Sequence, residues 1–307
     1  MKKYTGLLFL IVAAFIWGTA FVAQADAAES IPPFTFSAIR SFVGAFVLLI
    51  FIFIRRKINK EYGAKKVDFK KLIIAGAICG TVLSIAMNLQ QYGITVYPPE
   101  VSNVPGRSGF LTALYVVLVP IAGLFFKRKV HILVWCAAAL SVFSLWLLCL
   151  KNGFGGIYLG DVLMFICAIG FTCQIICIDT LGKASDGVML SCVQFTAAGI
   201  TSLICALIFE KPTPVNTLFD AWLPILYVGV LSSGVAYTFQ ILGQKMTEPA
   251  LASIIMSMES VFAALGGWIV FSQNLSGREV LGCAVMFAAV ILAQVPSFIK
   301  TRSIKEE

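Results

Sequence analysis

The sequence predicts an all-α membrane protein with ten transmembrane helices arranged as two inverted five-helix repeats. Three observations carry this: the bulk composition, ten apolar runs of bilayer length, and a weak self-similarity at a shift of about 150 residues. Of 307 residues, 59% are hydrophobic and only 12% are charged, with a mean hydropathy of +0.93. Ordinary soluble domains have roughly 45–50% apolar and about 25% charged residues, so a soluble fold of this size could not hide the apolar surface.

About 20 apolar residues span a hydrocarbon core of roughly 30 Å as a helix. Ten such runs occur, at residues 7–23, 34–54, 72–92, 104–126, 132–150, 157–178, 188–209, 222–242, 250–271 and 280–298, each bounded by charges, Pro, Gly or Asn. They lack the alternating ten-residue pattern of an outer-membrane barrel, and helices satisfy their own backbone in lipid.

The net charge of +8 raises a polyanion-binding reading, which the distribution of the charges excludes. When the chain is threaded from a cytoplasmic N-terminus, 18 of the 23 Lys and Arg residues fall in cytoplasmic segments. Only Lys151, Lys211 and Arg278 fall in outer loops, and Arg40 and Arg107 lie inside apolar runs. The excess is the positive-inside bias of a multi-pass protein of the plasma (cytoplasmic) membrane, with both termini cytoplasmic.

Lys2, Lys3 and the small residues 23–27 resemble a cleavable leader. Cleavage would leave nine helices and break the repeat, so the first helix is expected to be retained. The nine cysteines all lie within apolar runs and read as small hydrophobes. Cys173 and Cys177 share a helix face without a third ligand, so no metal is expected. His131 follows a basic cluster at a run boundary and reads as interfacial.

Sliding the chain on itself pairs Gly18 with Gly170, Arg40 with Gln194, Gln90 with Gln240, Gly93 with Gly243, and the break at Pro98 and Pro99 with that at Glu248 and Pro249. Residues 1–150 and 151–307 form the two repeats. Five helices per repeat is odd, so the copies enter the membrane from opposite sides, an arrangement that implies a solute site at the repeat interface near the midplane. Small residues at four-residue spacing (Gly76 and Gly80, Ala14 and Gly18, Ala263 and Gly267) predict close helix contacts.

Five segments together point to a known family: Phe15-Ile-Trp-Gly-Thr-Ala-Phe21, Gly109-Phe-Leu-Thr-Ala-Leu-Tyr-Val-Val-Leu-Val-Pro120, Tyr227-Val-Gly-Val-Leu-Ser-Ser-Gly-Val-Ala-Tyr237, Glu248-Pro-Ala-Leu-Ala-Ser253 and Glu259-Ser-Val-Phe-Ala-Ala-Leu-Gly-Gly267. In these the chain resembles the EamA-type transporters of the drug/metabolite transporter superfamily, over nearly its whole length and in two copies. The resemblance implies ten helices and movement of amino acids, other metabolites or drugs, usually outward. Two departures stand out. Glu259-Ser260 replaces a frequent Glu-Pro, and Ser272-Gln273 replaces a frequent Gly-Glu, changes expected to remove a kink and an outer charge.

An ionisable residue in hydrocarbon costs about 2.5–3.5 kcal/mol on insertion scales and so needs a partner, a cavity or a function. Glu259 lies about ten residues into its run, near the midplane. On the repeat alignment it falls two positions from Arg107, so the two charges are expected to flank one cavity, either pairing with each other or binding solute. Arg40 is expected to be structural, capping carbonyls or snorkelling to the interface. The candidate substrate-binding residues are Trp17, Asn88, Gln91, Tyr92, Arg107, Tyr115, Gln174, Tyr237, Gln240 and Glu259, whose amides, aromatics and charges suit a small organic solute better than a bare ion.

No phosphate-binding loop and no catalytic constellation occurs, so the sequence points to a secondary or facilitative transporter, without cofactor, rather than an enzyme. A lipid-scrambling or receptor-like protein is the alternative, and after it an intramembrane enzyme. The partners expected are the lipid bilayer and a small-molecule substrate, with a homodimer left open and nucleic acid excluded.

Overall fold

The computed structural model describes residues 2–58, 68–101, 104–127, 130–149, 156–182, 185–262, 265 and 276–306. Among these, every ordered element is helical. The first half holds α1 (Lys2–Ala28), α2 (Pro33–Ile58), α3 (Phe69–Thr95), α4 (Val104–Thr112), α5 (Tyr115–Phe125) and α6 (Ile132–Cys149). The second holds α7 (Leu159–Leu181), α8 (Gly187–Phe209), the short α9 (Val215–Asp220) and α10 (Trp222–Leu226), a π-helical stretch (Tyr227–Ala236), α11 (Tyr237–Gln244), α12 (Pro249–Met256) and α13 (Gly277–Glu306).

Among the described residues, eight helical spans are long and apolar enough to cross a bilayer, with mean hydropathies of 1.6 to 2.3, and Ile132–Leu148 and Pro249–Phe262 are shorter apolar helices. Each of the ten apolar runs thus carries helix where it is described. The exterior is oily: Phe46, Phe53, Leu207, Phe209 and Ile291 all point outward. The interior holds the amides, hydroxyls and charges, including Arg40, Gln91, Gln174, Gln194 and Ser233, all buried. Surfaces facing lipid need apolar side chains, and polar groups must find partners inside.

Side-chain caps start several of the helices. Asp68 accepts from the backbone N–H of Lys71 at 3.1 Å at the head of α3, and that bond holds its carboxyl below the usual range. Asp186 accepts from Val188 and Met189 N–H at the head of α8. Glu210, just past the end of α8, reaches across to α2 and accepts from the N–H groups of Phe34 (2.7 Å) and Thr35 (2.8 Å) and from the Thr35 hydroxyl. A carboxylate on the positive end of α2 ties the two halves together.

Contacts between the halves recur in matching pairs. The third run packs on the sixth as α3 on α7, and the eighth packs on the first as the π stretch and α11 on α1. In the same way α3 on α8 matches the π stretch on α2, α5 on α7 matches α12 on α1, and α2 on α8 and α6 on α13 are each their own counterpart. Glycines set the distances. A methyl group on Gly93 would meet Met164 Cε at 2.8 Å and the Gly160 carbonyl at 3.5 Å, and one on Gly243 would meet Leu10 Cγ at 2.6 Å and the Gly6 carbonyl at 3.0 Å. Gly76 and Gly80 seat α3 on Val193, Gln194 and Ala197 of α8, as their spacing predicts. Ala263 and Gly267 lie outside the described residues.

Three runs are not regular helices. The fourth breaks at Ala113 and Leu114, the eighth widens into the π stretch, and the ninth turns at Ser257 and Met258 before resuming at Glu259. The replacement of Pro by Ser260 therefore does not straighten the ninth run: a tight bond from Met258 N–H to Ile255 O (3.1 Å) produces the turn without proline. Ser272 and Gln273 lie outside the described residues.

Helix packing gives a direct test. A Cβ on Gly80 would sit 2.3 Å from the Gln194 carbonyl, whereas Gly109 has open space around it. Gly80→Ala should lower the stability of the purified protein by about 1–3 kcal/mol, read as a lower melting temperature in detergent, because a backbone oxygen cannot yield. Gly109→Ala, which trades a poor helix former for the best one, should be neutral or gain up to about 1 kcal/mol.

Candidate functional site

The three irregular segments converge on one central cavity with about 490 Å³ of atom-free space, its open mouth included. Thr112 and Tyr115 flank the break in the fourth run, Ser232 and Tyr237 belong to the widened eighth, and Met256 and Glu259 flank the turn in the ninth. Distorted helices at a midplane cavity are where backbone irregularity is tolerated, because the irregular backbone is enclosed by protein rather than lipid.

α1 contributes Trp17, Phe21 and Gln24 to the wall; α2 gives Arg40, α3 gives Gln90, and α7 gives Phe171, Gln174 and Ile175. Gln240 of α11 completes it. Four glutamines form a set in which Gln174 and Gln240 each lie 150 positions after Gln24 and Gln90. Gln240 Nε2 donates to Gln174 Oε1 at 3.1 Å, and Gln90 Nε2 donates to the Thr112 hydroxyl at 3.4 Å. Trp17 meets Tyr237 edge-on at 4.8 Å, and Phe195 backs the other side of Tyr237 at 5.2 Å. Glu259 Oε1 accepts from the Tyr115 hydroxyl at 3.3 Å.

The structure gathers Trp17, Tyr115, Gln174, Tyr237, Gln240 and Glu259 of the sequence-derived candidates and disperses the other four. Tyr92 is 40% exposed and stacks on Phe34, on the outer surface. Asn88 is held in a network with Ser84 and Ser202 that pins α3 to α8. Gln91 donates to the Gln24 carbonyl at 3.1 Å, supporting the wall from behind.

Arg107 corrects the expectation of a Glu259 partner. Its Nε and Nη2 donate to Oδ1 and Oδ2 of Asp161, both at 2.5 Å, and Nη2 also donates to the Gly156 carbonyl. Tyr97 donates its hydroxyl to Asp161 Oδ1 at 2.9 Å, Asp161 Oδ2 accepts from Tyr158 N–H at 2.8 Å, and the guanidinium lies 5.0 Å over the Tyr158 ring. Asp161 thus caps α7 and neutralises Arg107 at once, which places Arg107 at the end of the bundle where the third, fourth and sixth runs meet. The Tyr97 phenol is pushed up by burial beside that carboxylate.

Arg40 is the second correction. It neither snorkels nor caps carbonyls; it is 2% exposed, lines the cavity, and donates from Nη1 to Gln24 Oε1 at 2.9 Å. The reason is positional: α2 is covered on this face by α8 and the π stretch, so no path leads its side chain to an interface. The residues missed from the sequence were Arg40, Gln24, Gln90, Phe21, Thr112, Phe171, Ile175, Ser232 and Met256. The 150-residue shift from Gln174 and Gln240 back to Gln24 and Gln90 was the signal available for two of them.

The model of the EamA-like transporter family matches this chain twice, over residues 4–150 and 158–294. The chain belongs to the EamA-like transporter family. As an EamA-like protein it is a multi-pass membrane protein with a general transport role. It is 27% identical to an uncharacterized transporter of Archaeoglobus fulgidus, over 96% of this chain and 87% of that one. It is 26% identical to the uncharacterized inner membrane transporter YedA of Escherichia coli K12, over 97% of this chain and 94% of the relative. A crystal structure sharing 16% identity superposes with a TM-score of 0.74 over 95% of this chain and 97% of the other, a likeness of fold alone.

The ion pair of this EamA-like chain predicts a non-additive pair of variants. Asp161→Asn leaves the buried Arg107 uncompensated and should cost about 3–5 kcal/mol of stability. Adding Arg107→Met to Asp161→Asn should recover most of the loss in melting temperature, and Arg107→Met added to Glu259→Gln should recover none.

Proposed function

We propose that the protein is a secondary or facilitative transporter of small organic solutes, an exporter in the plasma membrane, working by alternating access at the interface of two inverted five-helix repeats. The observation that carries this reading is the central polar cavity, enclosed in an apolar bundle and walled by both halves. A buried set of amides, aromatics and two charges has no packing advantage over leucines and costs desolvation, so its place at the centre of a membrane bundle favours a solute.

The matching contacts between halves support the repeat. Exchanging the first five runs for the last five turns each of the packing pairs named above into another that is also present, as a pseudo-two-fold axis would. The family match over 4–150 and 158–294 supports the same division at about residue 150. Such a symmetry gives two nearly equivalent packings, one open to each side. In this reading the Arg107 and Asp161 pair closes one end, and the glycine contacts of Gly243 and Gly6 close the other.

Both termini are then cytoplasmic. Single-cysteine variants on a cysteine-free background test the threading in intact cells: Tyr62→Cys should be inaccessible to an impermeant maleimide and Phe154→Cys should react. Reaction at position 62 would overturn it. For transport itself, proteoliposomes should exchange preloaded against external solute without ATP in a screen of amino acids, nucleobases and drugs. Lipid scrambling with no solute flux would favour the alternative role.

A further inference from the structure

Eight of the 23 Lys and Arg residues fall within residues 55–71, against two acids, Glu61 and Asp68. Orienting a multi-pass chain needs only a modest bias, and the other connections on the same side carry fewer: Lys127, Arg128 and Lys129 in one, Lys183 and Lys245 in the others. The structure gathers the described part of this excess at one spot. Arg56 and Lys57 lie in the last turn of α2, and Lys70 and Lys71 in the first turn of α3. Both helix ends border the start of α8: Arg56 reaches Met189, and a methyl group on Gly76 of α3 would meet Val193, one turn further along. Since α2 and α3 come from the first half and α8 from the second, the spot straddles the seam between the halves.

Arg56 is the member that calls for a ligand. Its guanidinium is half-buried, yet it meets no oxygen among the described residues: Nη2 rests on the Met189 thioether at 3.9 Å, and Nε has no hydrogen-bond partner. A thioether is a weak acceptor, so most of the donor capacity is unspent. Lys57 and Lys70 are exposed and form no ion pair among the described residues, while Lys71 pairs with Asp68 at 3.3 Å. The occupant must therefore be an anion, and the apolar side chains among these charges say more. Ile58 and Phe69 are exposed beside the basic residues, and Phe53 and Ile73 are exposed one turn deeper. A water-borne anion gains nothing from that surface. Apolar residues interleaved with basic ones at a bilayer border suit the level where headgroups meet acyl chains.

We propose that this spot binds an anionic phospholipid of the inner leaflet, its phosphate ester on Arg56 with Lys57 and Lys70 around it, and its acyl chains along Phe53 and Ile73. The inference rests on the threading proposed above, which puts the end of α2 on the cytoplasmic side, and is independent of the solute that the cavity takes. A guanidinium offers a phosphate paired N–H bonds where lysine offers a point charge, so Arg56 fixes the headgroup and the lysines add an attraction that salt weakens. A bound lipid then bridges the two halves at their inner end.

The melting temperature of the purified full-length protein in a neutral detergent, titrated with phospholipid, reads this site. Phosphatidylglycerol should raise it at concentrations about tenfold lower than phosphatidylcholine does, and taking NaCl from about 0.1 M to about 0.5 M should shrink that advantage. The triple variant Arg56→Gln, Lys57→Gln, Lys70→Gln should lose most of the advantage while answering phosphatidylcholine as before, which reports an intact fold. Arg56→Gln alone should lose about fivefold, and Lys211→Gln, at the other end of the bundle, should lose nothing. Glycerol 1-phosphate, the same ester without acyl chains, should give no rise. An equal rise with it would make the occupant a soluble anion and overturn the lipid. Equal potency of the two phospholipids, or an undiminished preference in both Gln variants, overturns the proposal as well. Detergent has no sides, so labelling at position 62 tests the threading separately: reaction there from outside overturns the inner-leaflet assignment even where the phosphatidylglycerol preference holds.

Discussion

Hydrocarbon offers no hydrogen bonds, and every feature of this protein follows from where its polar groups go instead. The backbone is satisfied within helices, which is why every ordered element among the described residues is helical. Side-chain hydroxyls turn back on carbonyls one turn earlier, as Ser41, Ser141, Thr172 and Thr201 do, or bridge neighbours, as Ser84, Asn88 and Ser202 do between α3 and α8. Beyond this local pairing, Gln24, Arg40, Gln90, Gln174, Gln240 and Glu259 line one central space.

Close helix approach makes that concentration feasible. With Gly44 against Ser233 and the Gly229 carbonyl, Gly229 against Val43, and Gly76 and Gly80 against α8, the second, third, seventh and eighth runs meet nearly backbone to backbone. Lipid-exposed helices gain little hydrophobic energy by associating, so small residues and dispersion contacts hold such a core. The Ser- and Gly-rich π stretch is part of the same device: it lets α2 sit close while it widens the eighth run beside the cavity.

The intramembrane charges divide into two kinds by how completely they are paired. Arg107 and Asp161 saturate one another and recruit Tyr97, Tyr158 and Gly156, forming a closed knot between the halves. Arg40 and Glu259 both line the cavity; Arg40 donates to Gln24 and lies 5.5 Å over the Phe36 ring, while its Nε and Nη2 have no hydrogen-bond partner among the described residues, and Glu259 accepts from Tyr115. Low dielectric strengthens a satisfied network and penalises an open one.

The chain by itself determined the helical membrane class, the ten apolar runs, and the contacts of Gly76 and Gly80, because apolar length and small-residue spacing are local properties written in order along the sequence. It also picked Trp17, Tyr115, Gln174, Tyr237, Gln240 and Glu259, since polar residues in apolar runs announce themselves. Only the tertiary structure decided which charges are spent. Arg107 lay close to Glu259 on the repeat alignment, yet Asp161, the first-turn acid of another helix, reaches it first; Arg40, near the start of its run, is covered by α8 and the π stretch. Depth along a helix is legible from a count of residues, but the direction a side chain faces and the partner it meets depend on helix rotation and neighbours, which no single run encodes.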